Sequence, residues 1–562
     1  MRRFRSFLPL LLLSLAACAG GGGTPEAPGP RAATVAEITP ADLRARISIF
    51  ADDSMAGRRT GTPGNNKGNA YIATELARLG LRPAGDGGTF LQQVPLTRYA
   101  VAEGAGTLRA GDAQLAVFED YFPYQSLFLV PARPIDGAQV IYIGGLADSA
   151  ALPAREALHG KVVLFRSGAT ASSPIHPPDL SPQGRLGLVA GIMITDMDPV
   201  IGTYEPVFRA PQLQLKSNLQ IPPDATQPRI IFLPTASVPK LFGRELDQLK
   251  PGDVGSTISG DVKFEPSPLE ATNVVGVLEG SDPALRGAYV ALGAHNDAIG
   301  VVTPAVEHDS IRAYNTVMRP RGANDPPGDP TPEQWTRIRQ VMDSMRAGQP
   351  PRLDSIVNGA DDDGSGSMGL LEIAEALSRS SSRPKRSVLF VWHTGEESGL
   401  QGSRWFTDNP TVPRDSIVAQ INMDMISRGG PDNEATRDPG YLQVIGSRRL
   451  STELGDLAET ANREGAHGFS FDYSYDADGH PDKFYCRSDH AMYARYGIPV
   501  AFFSTGGHRD YHQVTDEMKY QDFDKFARVV RFAADLTARV ANLDHRVVVD
   551  KPKPDPAAPC VQ

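Results

Sequence analysis

The stretch Tyr289-Val290-Ala291-Leu292-Gly293-Ala294-His295-Asn296-Asp297 decides the fold. Its first four residues predict a buried strand, and a histidine and an aspartate follow on the carboxyl side. The same arrangement recurs three times. Ser387 to Trp392 predicts a strand that runs into His393-Thr394-Gly395-Glu396-Glu397. Val418-Ala419-Gln420-Ile421 predicts one that runs into Asn422-Met423-Asp424, and Pro499 to Phe503 one that leads on to His512. In an open α/β sheet, ligands bind in the crevice outside the carboxyl ends of the strands, so residues distant in sequence converge there. Coincidence explains one such position easily and four poorly.

A fifth element fits the same picture. Asn358-Gly359-Ala360-Asp361-Asp362-Asp363-Gly364-Ser365-Gly366 precedes a helix whose Leu370, Ile373, Ala374 and Leu377 form an apolar stripe. A carboxylate at a helix start satisfies free N–H groups and suits the dipole, which accounts for one aspartate. Three in a row repel one another unless a cation is near, and the small residues after them permit close backbone approach. Imidazole and carboxylate donors without thiolate suit Zn2+, and Mn2+ or Co2+ less often. Their number suffices for two ions sharing one carboxylate.

Composition narrows the classes. The chain has 562 residues, enough for two to four domains. Hydrophobic residues make up 41% and charged residues 22%, as in soluble globular proteins. The net charge of −10 offers no general basic surface to nucleic acid. Three cysteines without CxxC spacing predict no disulfide framework.

Residues 1–17 read as a leader. Arg2, Arg3 and Arg5 precede a short apolar run, Phe7 to Leu15, well below the ~20 residues of a membrane span. Leu15-Ala16-Ala17-Cys18 resembles the bacterial lipobox, in which the cysteine is acylated and becomes the first mature residue; the alternative is a plain secretory signal. Residues 18–35 are Gly/Pro-rich and predict a flexible tether. Residues 36–100 contain an amphipathic helix with Tyr71, Ile72, Leu76 and Leu79 in register. Residues 101–270 carry short β-like runs such as Gln139 to Ile143, Lys161 to Phe165 and Gly191 to Ile194, with no metal-type constellation. Residues 271–545 alternate strands and helices, as in a mixed, largely parallel sheet flanked by helices. Residues 301–357 interrupt that unit with one expected helix, Pro332 to Met345, and read either as a lid or as surface elaboration. The Pro-rich tail, 546–562, predicts disorder.

The segments around His295, Asp361 to Gly366, Glu396-Glu397, Asp424 and Tyr511-His512 resemble the bacterial leucyl aminopeptidase family of co-catalytic zinc exopeptidases. Its superfamily also holds glutamate carboxypeptidase and the transferrin receptor. Ser488-Asp489-His490 and Asp52 to Arg58 with Gly61 to Gly64 match as well. The resemblance implies the zinc exopeptidase fold, with 36–100 and 271–545 as its two parts and 101–270 as an inserted protease-associated domain. It implies that Asp362 bridges two Zn2+ ions, that His295 and Asp424 complete one set, and that Glu397 and His512 complete the other. It further implies Glu396 as general base and Asp297 as acceptor of the other His295 ring N–H. Tyr485 and Tyr511 are candidates for stabilising an oxyanion or for packing, and Asp516 for supporting a ligand or capping a helix. The expected substrates are peptides and the expected activity is that of an aminopeptidase. A carboxypeptidase, in which Arg428, Arg487 or Arg509 would hold a terminal carboxylate, a glutaminyl cyclase and a non-catalytic receptor are the alternatives. The lipobox and Ala19 imply anchoring through Cys18 at the outer membrane, facing periplasm or cell surface.

Overall fold

A computed structural model describes residues 34–124, 132–145, 153–167, 186–198, 201, 208–216, 227–325, 328–429 and 438–562. The expected leader and Cys18 lie outside the described residues. The helices that position the site are α1 (Pro40–Phe50), α2 (Pro63–Arg78), α3 (His308–Met318), α4 (Pro332–Arg346), α5 (Gly364–Arg379), α6 (Gln401–Asp408), α7 (Thr452–Glu464) and α8 (Phe523–Asn542). The strands are β1 (Leu91–Gly106), β2 (Gln212–Leu215), β3 (Val262–Leu278), β4 (Tyr289–His295), β5 (Gly300–Glu307), β6 (Leu353–Val357), β7 (Ser387–His393), β8 (Ile417–Met423), β9 (Tyr441–Ile445), β10 (Ser470–Asp472) and β11 (Val500–Ser504).

The main sheet runs β10-β9-β11-β8-β4-β7-β3-β1-β2. Its centre, β11, β8, β4 and β7, is parallel. The β7–β3–β1–β2 flank and the β9–β11 pair are antiparallel. Every residue of β7 and β8 is buried, because helices cover both faces. Ile47, Phe50, Leu76, Leu371, Phe526 and Leu536 pack one face; Phe406, Tyr493 and Ile498 pack the other. The N-terminal helices are integral to this unit. Arg46 of α1 is fully buried and pairs with Glu372 of α5 at 2.6 Å, with Glu75 of α2 at 3.3 Å and with Glu375.

The segment expected as an inserted β domain forms a second sheet. Its order is Ala113–Gln114, Arg109–Ala110, Val254–Gly260, Ile135–Gly145, Val162–Arg166, Gly191–Thr195, Arg229–Phe232, Phe122–Tyr124. Both expected boundaries, 100/101 and 270/271, fall inside strands. β1 and β3 pair in one register from Leu91↔Val274 to Val101↔Phe264 and, after a register shift, again at Gly106↔Val262, so a two-stranded ribbon replaces a linker. β2, from inside the inserted segment, returns to extend the main sheet.

The insertion at 301–357 is ordered throughout its described residues. β5 and β6 pair antiparallel at its base, and α3 and α4 pack on each other above them. The tail corrects the expectation of disorder. Cys560 forms a disulfide with Cys486. The Gln562 amide donates to the carbonyls of Tyr475 and Ala477 and accepts from the Tyr485 N–H. A proline-rich segment cannot build its own core, yet a covalent tie and buried amide bonds hold it against a larger one.

Candidate metal centre

Each candidate ligand is delivered by a different element. His295 ends β4, Asp424 follows β8, and Glu397 lies four residues past β7. Asp362 precedes α5, and His512 lies in the loop after β11. His295 Nε2 stands 3.1 Å from Asp362 Oδ1 and 3.7 Å from Asp424 Oδ1. His512 Nε2 stands 3.1 Å from Asp362 Oδ2 and 2.9 Å from Glu397 Oε2. Asp362 thus turns one oxygen to each of two donor groups, and within each group the ligand atoms lie within 4.8 Å of one another.

The three consecutive aspartates have three separate tasks. Asp361 accepts the N–H and the hydroxyl of Ser427, at 2.8 and 2.6 Å. Asp363 caps α5 by accepting from the Gly366 N–H and also accepts from the His295 N–H at 2.9 Å. Asp362 alone faces the ligand atoms. Gly366 is required here: a Cβ on it would lie 2.2 Å from the Met423 carbonyl oxygen, at the end of β8.

The donor set fits divalent cations. Among the described residues, the buried atoms His295 Nε2, Asp362 Oδ2 and Glu397 Oε1 find no hydrogen-bond partner, a costly arrangement unless a cation satisfies them. Burial opposes a charged His295, but Asp424, Asp297 and Asp362 outweigh it and hold its pKa well above the usual value. The same holds for His512 through Glu397 and Asp362. Despite burial, His295 and His512 hold the Asp362 carboxyl far below the usual range. A carboxylate held ionised between two imidazoles suits divalent cations, which would take the place of the imidazole protons.

Around the ligands, Asp297 faces the His295 ring, as expected. The His295 Nδ1 meets the Asp297 backbone carbonyl at 3.1 Å, and the carboxylate lies at 3.7 Å. The Asp297 carboxylate accepts from the Thr60 hydroxyl at 2.7 Å and from the Glu396 N–H at 3.1 Å. Asp297 therefore ties the ligand His295 to the segment bearing Glu396. The Glu396 Oε2 is 3.9 Å from His295 Nε2. Burial raises its pKa well above the carboxylate range, against the pull of His295 and with help from Asp424 and Glu397. Asp516 accepts from the N–H groups of Asp361 and Asp362, at 3.1 to 3.2 Å, and so holds the backbone of the shared ligand.

The two tyrosines part company. Tyr511 stacks on His512 with ring centroids 3.7 Å apart, and burial with the nearby carboxylates pushes its pKa up. Tyr485 packs in the core beside Arg449 and His490, which removes it from the ligand group. Of the three arginines weighed as carboxylate binders, Arg428 pairs with the buried Asp510 at 2.6 Å. Arg487 lies beside Tyr511 and Glu396, whose charges raise its pKa. Sequence reasoning gave no role to Ser488, whose hydroxyl donates to Asp424 at 2.7 Å. His308 meets Asp309 at 3.0 Å and Glu517 at 3.3 Å. His393 meets Asp489 at 3.2 Å and the Tyr493 hydroxyl at 3.0 Å, as a supporting residue.

Residues 342–537 match the family model described as Peptidase family M28, a stretch that contains Asp362, Glu396, Glu397, Asp424 and His512. The chain is 32% identical over 157 residues to leupeptin-inactivating enzyme 1 of Streptomyces exfoliatus, covering 27% of this chain and 31% of that protein. It is 30% identical over 175 residues to leucine aminopeptidase 1 of Penicillium rubens, covering 30% and 43%. These matches span less than half the length of the curated relatives. In overall fold the chain is similar to an aminopeptidase from Aneurinibacillus sp. strain AM-1, with a TM-score of 0.54 at 16% identity, over 92% of this chain and 97% of that one. It is likewise similar to a zinc aminopeptidase from Bacillus subtilis, with a TM-score of 0.51 at 13% identity, over 92% and 99%. The likeness to Peptidase family M28 is thus carried by residues 342–537, the stretch that holds Glu396 and four of the five candidate ligands.

Proposed function

We propose that this protein is a dizinc aminopeptidase that releases N-terminal residues from peptides. The observation that carries the proposal is the pair of donor groups sharing Asp362, with Glu396 beside them. His295, Asp362 and Asp424 would hold one ion, and Asp362, Glu397 and His512 the other. When bound, the ions supply Lewis acidity toward the substrate carbonyl and lower the pKa of the attacking water. Glu396 takes that water's proton as the oxygen adds to the carbonyl carbon, then returns it to the amine nitrogen as the C–N bond breaks. Tyr511, stacked on His512, would donate its hydroxyl to the oxyanion of the tetrahedral intermediate. Names of the aminopeptidase relatives support the substrate class.

Glu396→Gln keeps the shape and removes the base. Its kcat on leucine anilides should fall by about 10^2–10^4-fold, with two ions still bound by metal analysis. Full activity in that variant rules out the mechanism. A carboxypeptidase would instead act on N-terminally blocked peptides, with Arg487 near Glu396 to hold the carboxylate.

The leader supports a further reading, that the protein is exported and anchored through an acylated Cys18 at the outer membrane. Among the described residues no helix is long and apolar enough to cross a membrane. Labelled palmitate should enter the wild-type protein and not the Cys18→Ser variant; equal labelling of both removes this reading.

A further inference from the structure

A cavity of about 320 Å³ opens beside the Glu397 half of the metal centre. Its polar floor is Thr60, Asp297 and Glu397. Its walls are apolar and come from three parts of the chain: Tyr124, Phe208 and Leu213 from the inserted segment, Ile299 from the loop after β4, and Val301 from the insertion. Phe232 holds two of them, with its ring 5.7 Å from that of Tyr124 and 5.1 Å from that of Phe208. Val301 is 50% exposed, an apolar side chain left open at the cavity's edge.

One cation breaks this apolar lining. Arg59 makes a single long hydrogen bond, 3.4 Å, to the Pro211 carbonyl, and no carboxylate among the described residues lies within ion-pair distance of it. Arg98 stands close enough to press on its charge. A guanidinium without a counter-ion among the described residues, in a half-buried cavity that reaches a metal ligand, suits a carboxylate and repels an ammonium. The free amine of an aminopeptidase substrate therefore belongs elsewhere, and the cavity lies on the side of the residue that leaves.

We propose that this cavity receives the residue following the scissile bond. Its apolar side chain lies against Tyr124 and Phe208, and Arg59 binds the free carboxylate when that residue is the last. The enzyme is thereby tuned to dipeptides with an apolar second residue. This rests on the aminopeptidase reading above and specifies its substrate.

The test is steady-state kinetics with Leu-Leu, Leu-Leu amide, Leu-Gly and leucine p-nitroanilide on the metal-loaded full chain. In the wild type, kcat/KM for Leu-Leu should exceed that for Leu-Gly by about tenfold or more. It should exceed that for Leu-Leu amide by about tenfold, the effect of one charge-assisted contact. Arg59→Gln should bring the acid-to-amide ratio to about one, and Arg59→Lys should restore part of it. Because the readout is a ratio within each variant, partial loss of fold does not disguise it. A wild type indifferent to the second residue, or an acid-to-amide ratio that survives Arg59→Gln, overturns the inference while anilide turnover leaves the aminopeptidase reading intact. No turnover of anilide or dipeptide overturns both.

Discussion

The two halves of the metal centre are built by different means. His295 and Asp424 stand at the ends of adjacent parallel strands, and the His295 side chain is only 1% exposed. Glu397 and His512 sit in loops, and the His512 side chain is 18% exposed. His512 has a left-handed backbone, φ 61°, which costs an L residue about 1 kcal/mol or more and persists only where the surroundings enforce it. The sheet's own hydrogen bonds fix the first half. The second half is fixed from outside, by the insertion.

That outside support is specific. Arg312 of α3 joins Arg428 on the buried Asp510 carboxylate, two residues before His512. Asn315 donates to Gln513 at 2.6 Å, Arg319 to the Arg509 carbonyl at 3.2 Å, and the Ala323 N–H to the Gly507 carbonyl at 2.9 Å. His308 and Arg352 flank Glu517 at 3.3 and 2.9 Å. The insertion, open to reading as a lid or as surface elaboration, is in this structure a buttress for the loop that carries a ligand.

If the halves differ in this way, they can be emptied separately. Arg312→Met keeps the side-chain bulk and removes the charge from Asp510. Affinity for the ion held by Glu397 and His512 should fall by about 10–100-fold, the usual consequence of losing a residue that supports a metal ligand. Metal analysis after dialysis against a graded chelator should then give close to one ion per chain where the wild type keeps two. Ser488→Ala removes the hydroxyl on Asp424 and should weaken the other ion instead. Loss of both ions together in either variant, at unchanged thermal stability, would show that the centre is one unit and not two halves.

The same contrast explains what could be seen in the sequence. The strand-end ligands were legible because the signal is local: a run of buried residues ends and a histidine or carboxylate follows within a few positions. That one of the three aspartates caps a helix was legible for the same reason; that it is Asp363 was not. The buttress was not, because Arg312 meets Asp510 across 198 positions and nothing near Arg312 announces its partner. A second helix in the insertion, α3, escaped because its buried residues are mostly polar, His308, Arg312 and Asn315 beside Ala313, and it is held by polar contacts to the His512 loop. The tail failed for a compositional reason: proline and charge predict disorder, and its tie to Cys486 spans 74 positions. Asp297 was legible as the neighbour of the His295 ring, but which of its oxygens meets the ring was not, since sequence spacing does not distinguish a carbonyl from a carboxylate.

The smallest expected effect concerns acid. Glu307 caps α3 and pairs with Arg346 of α4 at 2.7 Å. Burial alone would raise its pKa, but Ser310 and Arg346 outweigh that and bring it down to about 2. Glu517, at the far end of the buttress, is likewise lowered to about 2, by His308 and Lys519 against burial. A carboxyl whose pKa is lower in the folded state than in the unfolded one binds fewer protons when folded. Its contribution to stability is complete above the unfolded pKa, near 4.5, and is lost as pH falls from there toward 2. Both groups join the insertion to itself or to the His512 loop, so acid should loosen that half first. Hydrogen exchange, corrected for its intrinsic pH dependence, should show protection lost in 300–357 and 506–517 below about pH 4.5, while 289–295 and 417–423 remain protected at the same pH. Simultaneous loss in all four segments would mean that the insertion and the sheet open together, and the loop-held half would then have no independent softness for Arg312 to control.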